Sequence, residues 1–138
     1  MSPTEVSEYL EQPNIMRIAV IDHHDGYPVV HPVWFYYENE MFLVAVDREG
    51  RKAQSLRKNP DLYYLVDSSP SDGPPLGIRG RAVASVVDDS DYATRVTERN
   101  IQRYMKLPEG KAAEKIREMG KCSCVLEIRP TYMATWKF

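Results

Sequence analysis

Seven short apolar runs of strand length dominate this chain: "NIMRIAVID", "YPVVHPVWFYY", "MFLVAVD", "DLYYLVD", "LGIRGRAVASVV", "KCSCVLEIRP" and "TYMATWKF". Valine, isoleucine and aromatic residues fit a pleated, half-buried surface, and turn formers bound most of the runs. The "HHDG" between the first two carries the Asp-Gly hairpin signal, and "ENE" turns the second into the third. Pro28 and Pro32 place the second run at an edge or a bulge. In the fifth run, Gly77 and Gly80 mark a bulge or a close approach of backbone. Consecutive strands in hairpin order, with helices gathered between strands rather than after each one, predict a mainly β (α+β) domain. Its architecture is an antiparallel barrel of six or seven strands with peripheral helices.

Four segments read as helices. "SPTEVSEYLEQ" has Ser2 to cap, Pro3 in the first turn, and Val6, Tyr9 and Leu10 on one face, with Pro13 to end it. Residues 51–58 form two turns with Ala53 and Leu56 inward, stopped by Asn59-Pro60. "DDSDYATRVTERNIQRYM" begins with acids that suit a helix N-terminus, and "PEGKAAEKIREMG" ends with Gly120 as a C-cap. The turn-rich "SSPSDGPP" is a mobile surface loop and a candidate border of a site.

At 138 residues the chain fits one domain. Its 43% hydrophobic and 28% charged residues argue against disorder, and a net charge of -2 argues against a general nucleic-acid surface, so any basic site is local. No run approaches the roughly 20 apolar residues that span a bilayer, and the acidic N-terminus is unlike a secretory signal. A cytoplasmic protein without membrane or nucleic-acid partners is expected. Cys122 and Cys124, two apart, share a strand face and are expected to be core thiols. Their spacing, roughly 6.5 to 7 Å between alpha carbons, is at the edge of disulfide geometry. His23, His24 and His31 have no convincing carboxylate partner in the sequence and read as solvated or capping residues rather than metal ligands. No catalytic triad, phosphate-loop or dinucleotide signature is present.

The local basic site is "DREGRKAQSLRKNP", where Arg51 and Lys52 follow a strand end and open a helix. A planar guanidinium, a compact ammonium and the free N–H groups of a helix start suit a phosphate, although cations can also simply solvate a helix end. Together with "GYPVVHPVWFYYENEMFLVAV" and "IRGRAVA", this block resembles the FMN-binding split barrel of the pyridoxamine 5'-phosphate oxidase-like family, over about residues 13 to 130. The resemblance implies a Greek-key split barrel working as a homodimer, with flavin in a groove at the subunit interface. It implies that Arg51 and Lys52 hold the FMN phosphate and that His31, Pro32, Val33 and Trp34 run along the flavin ring. Val46 and Asp47 lead to the phosphate loop, and Trp136 is a candidate cover for flavin or substrate. The chain departs from the pattern at Val46 and Gly50, where the family often has Ser or Thr. It also departs near Tyr36, where the true oxidases carry a basic residue, and it lacks their C-terminal extension. The expected function is therefore hydride or electron transfer to an unidentified small molecule, not pyridoxamine phosphate oxidation. A deazaflavin coenzyme or haem on the same fold is the first alternative. The second, a barrel binding single-stranded nucleic acid, is disfavoured by the negative charge and by the lack of an aromatic-basic strand face.

Overall fold

A computed structural model describes residues 1–138. Helix α1 (Pro3–Glu11) is followed by β1 (Met16–Ile21), β2 (Pro28–Val33), β3 (Tyr36–Glu38), β4 (Met41–Asp47) and α2 (Arg51–Lys58). Then come β5 (Asp61–Ser68), β6 (Leu76–Val87), α3 (Ser90–Tyr104), α4 (Lys111–Gly120), β7 (Ser123–Pro130) and β8 (Ala134–Lys137). The strands form one antiparallel sheet in the order β2-β1-β5-β6-β7-β4-β3, with β8 paired to β6. The sheet curls into a half-barrel carrying four helices. None of them is long and apolar enough to cross a membrane.

Eight strands are present where seven runs were read, because "YPVVHPVWFYY" breaks at Trp34-Phe35 into β2 and β3. Tyr104 makes the break tolerable. Its hydroxyl lies 3.2 Å from both the N–H and the carbonyl of Phe35 and 2.8 Å from the Asn14 carbonyl, while Arg103 Nε donates to the Phe35 carbonyl at 2.8 Å. Backbone groups that lose a strand partner are thus satisfied by α3. Trp34 stacks on the Tyr104 ring at 5.0 Å, fixing its own direction.

β6 organises the barrel. β5 pairs with one edge along its whole length, whereas the other edge is divided between β8 at Leu76–Arg79 and β7 at Ala82–Val87. The chain crosses from β7 to β8 at that division, where Thr131 and Tyr132 donate N–H bonds to the Arg81 carbonyl at 2.8 and 3.2 Å. The expected close approaches are here: a Cβ on Gly80 would collide with the Tyr132 carbonyl, and one on Gly77 with the Trp136 ring.

Ile18, Val20, Phe42, Val44, Tyr64, Ile78, Leu126 and Ile128 fill the barrel interior. On the opposite face of β4 and β7, Leu43 and Val125 pack against Ala93 and Val96 of α3. β4 is therefore buried on both faces, which is why "MFLVAV" is continuously apolar rather than alternating. Cys124 is buried in the core and its thiol pKa is raised by that burial. Cys122 departs from the expectation: it lies in the turn before β7 and is exposed, so strand alternation does not reach it. Gly120 is likewise the last residue of α4 rather than a cap, and its missing side chain lets α4 pack closely on Thr97.

Candidate functional site

A groove of about 470 Å³ opens between the ends of β2 and β4, the start of α2, and the pair α3 and α4. That volume lies within the range of small-molecule sites. Pro32, Val33 and Trp34 form one side, Val46, Asp47 and Lys52 another; all six were singled out from the sequence, and the fold brings them together. Most of the remaining wall, none of it foreseen, comes from Thr97 of α3, Ile116, Met119 and Gly120 of α4, and Ser123 of β7.

The turn into α2 prepares an anion-facing helix start. Asp47 accepts the Glu49 N–H on its carboxylate at 3.0 Å and the Gly50 N–H on its carbonyl at 3.0 Å, which bends the chain sharply. A Cβ on Gly50 would sit 3.2 Å from both the Cβ and the carbonyl oxygen of Asp47, so this tight turn favours the glycine by which the chain departs from the Ser or Thr of the resembled pattern. Gly50 offers no side-chain cap to α2, and the first bond back along the helix is Gln54 N–H to the Gly50 carbonyl at 3.1 Å. The amides of residues 51, 52 and 53 have no acceptor within the chain. Lys52 faces the groove and makes no ion pair. Free amides, a helix start and an unpaired cation form a donor set that fits a phosphate.

The structure separates the two cations. Arg51 is not in the groove wall; its Nε lies 3.1 Å from Oδ1 of Asp22, a carboxylate that is 3% exposed at the end of β1. His23 Nδ1 is 3.7 Å from the same oxygen, and its ring and backbone N–H both meet the hydroxyl of buried Ser55 at 3.0 and 3.1 Å. His23 is thus anchored to α2, whereas His24 is exposed. His31, half-buried on β2, has a pKa lowered first by burial and then by the charge of Lys52, against an opposing pull from Asp22. His31 is not among the residues that line the groove.

Trp136 is not brought to this groove. It lies on β8, packed over Gly77, in a surface depression with Arg79, Thr135 and Phe138. Among the unforeseen residues, Ser123 faces Asp47 across the β4–β7 ladder, but its hydroxyl donates to the Met119 carbonyl at 3.0 Å. No sequence signal connects α4 to the groove, since its apolar residues read equally well as packing.

A curled antiparallel half-barrel with this helix start at the end of β4 defines the pyridoxamine 5'-phosphate oxidase-like class of fold. The family model described as pyridoxamine 5'-phosphate oxidase matches residues 2–137, and the chain belongs to that family. No curated protein matches it. Among solved structures, it is similar to the conserved hypothetical protein Rv2991 from Mycobacterium tuberculosis, with a TM-score of 0.83 and 19% identity over 99% of this chain and 85% of that one. An F420 reductase has a TM-score of 0.71 and 21% identity over 93% and 94% of the two chains. The haem storage protein HutZ from Vibrio cholerae has a TM-score of 0.71 and 19% identity over 98% and 93%. At these identities the likeness shows a shared fold.

Proposed function

We propose that this chain is an FMN-binding oxidoreductase that acts as a homodimer on a small molecule, with the flavin in a groove completed by the second copy. The observation that carries the reading is the groove itself: an unpaired Lys52 and free helix amides stand at one end, and Pro32 and Val33 of β2 with Trp34 just beyond it run along the side. Lys52 and the amides of α2 would hold the phosphate, with Arg51 beside them. Val33, Trp34 and Val46 would seat the ring and keep water from it. Hydride or electron transfer is the chemistry a bound flavin supplies.

The outward face of the sheet supports the dimer. Val30, Ala19 and Tyr63 lie opposite one another across β2, β1 and β5, and Val30 is 62% exposed. Pro32, two residues further along β2 on the same face, lines the groove beside Arg17 of β1, which pairs with Asp67. A second copy laid on this face would cover both.

The test compares ligands that share a ring and differ by a phosphate. Lys52→Ala is expected to weaken FMN binding about tenfold to a hundredfold, as for a charge-assisted hydrogen bond of about 1.5 to 3 kcal/mol, and to leave riboflavin binding nearly unchanged. Equal losses for the two in a folded variant would remove the phosphate site. Co-purification with a deazaflavin or haem instead of FMN would replace the cofactor in this reading.

A further inference from the structure

We propose that Asp22 is a positioning residue that holds the Arg51 guanidinium by its Nε edge, so that the two terminal nitrogens face outward to take an anionic phosphate alongside Lys52. The inference rests on the phosphate reading of α2 and goes beyond it, because Asp22 lies at the end of β1, outside the groove wall and outside the Arg-Lys motif. Three observations carry it. Asp22 is 4% exposed, and a buried carboxylate is retained only where a partner compensates its lost hydration. Its Oδ1 takes no hydrogen bond from any group in the chain and is compensated only by charge, with Arg51 Nε 3.1 Å away, and no other carboxylate pairs with that guanidinium. That side chain is 59% exposed, so its far edge is open to a ligand.

The backbone around Asp22 is hydrogen-bonded on both sides. The Asp22 N–H donates to the Tyr27 carbonyl at 2.8 Å and the Asp22 carbonyl accepts the Gly26 N–H at 3.0 Å, closing the β1–β2 turn around the carboxylate. His23, next in the chain, is tied to Ser55 of α2 by its backbone N–H and its ring, so the turn is bonded directly to the helix that carries Arg51. An exposed arginine alone would sample many rotamers and lose their entropy on binding. One held by a buried carboxylate has already lost much of it.

The experiment is a double-mutant cycle of Asp22→Asn and Arg51→Ala, read as FMN and riboflavin dissociation constants, with circular dichroism to confirm the fold. Asp22→Asn is expected to weaken FMN binding about tenfold, to leave riboflavin within about twofold, and to have no further effect in the Arg51→Ala background. Tighter FMN binding in Asp22→Asn would show that the carboxylate competes with phosphate for Arg51 and would overturn the proposal, as would equal effects in the two backgrounds. Arg51→Lys supplies a second route if Asp22→Asn does not fold. A single ammonium cannot pair with Asp22 and also present a fork, so the variant should lose the FMN preference nearly as fully as Arg51→Ala, and wild-type preference in Arg51→Lys would sink the idea. If the phosphate reading itself fails, Lys52→Ala changes both ligands alike. If only the role of Asp22 fails, Lys52→Ala still discriminates between them and the cycle shows no coupling.

Discussion

Arg51 and Lys52 are neighbours in sequence with different surroundings: one guanidinium is pinned by a buried carboxylate, the other charge stands free at a groove. Lys52 leaves a trace on His31, whose pKa it helps to lower. Removing the ammonium in Lys52→Ala should therefore raise the His31 pKa, as followed by NMR titration of the ring protons, yet not fully to its ordinary value, because burial is the larger cause. An unmoved pKa would place Lys52 away from β2. Gly80 is a second informative residue. A methyl there must displace the Tyr132 carbonyl, which is held by a 3.0 Å bond from the Tyr64 hydroxyl, so Gly80→Ala should cost about 1 to 3 kcal/mol in denaturant unfolding, as overpacking does. Unchanged stability would mean the crossing from β7 to β8 is looser than described. The sequence pointed to both glycines, since glycine in a strand interior signals a close neighbour. It did not point to Asp22, because nothing local says that an aspartate before "HH" will be buried against an arginine 29 positions on.

Elements with local causes were legible in the sequence. The α2 boundaries match the reading from Arg51 to Asn59-Pro60, and α1 is capped by Ser2 as read, with Glu5 completing a capping box that the reading had not named. The break at Trp34-Phe35 was not legible, because the groups that satisfy it, Arg103 and Tyr104, come from α3. The α3–α4 wall was hidden for the same reason: amphipathic periodicity shows that a helix packs, not which groove it borders. At α1, the Glu5 carboxylate accepts the Ser2 N–H at 3.0 Å and pairs with Lys137 of β8 at 3.0 Å, tying the two ends of the chain together. These bonds, the backbone one first, lower the Glu5 pKa from 4.5 to about 2. The folded pKa is depressed, so this contribution to stability is complete above pH 4.5 and is lost as pH falls towards 2. Thermal unfolding of Glu5→Gln should show a lower Tm at neutral pH and a smaller decline than wild type across that window. Parallel curves would show that the bonds add nothing net.

At the scale of the whole molecule, the outward face of the sheet sets exposed Val30 and Tyr63 among charged residues such as Arg17 and Asp67, and Pro32 of that face lines a groove whose basic end is built by α2. The fold class was legible because strand rhythm and turn chemistry are repeated many times along the chain. The proposed second copy left no comparable signal, since the strand pattern of one chain carries no record of a partner. Association and ligand binding are therefore linked: if two copies share the flavin, the ligand stabilises the dimer by mass action, and conditions that separate the copies release it. Sedimentation velocity of the FMN-loaded protein, recorded in the visible band of the flavin, tests this directly. The flavin absorbance is expected to sediment with a dimer; flavin travelling with a monomer, or remaining free in solution, would contradict a site shared by two copies.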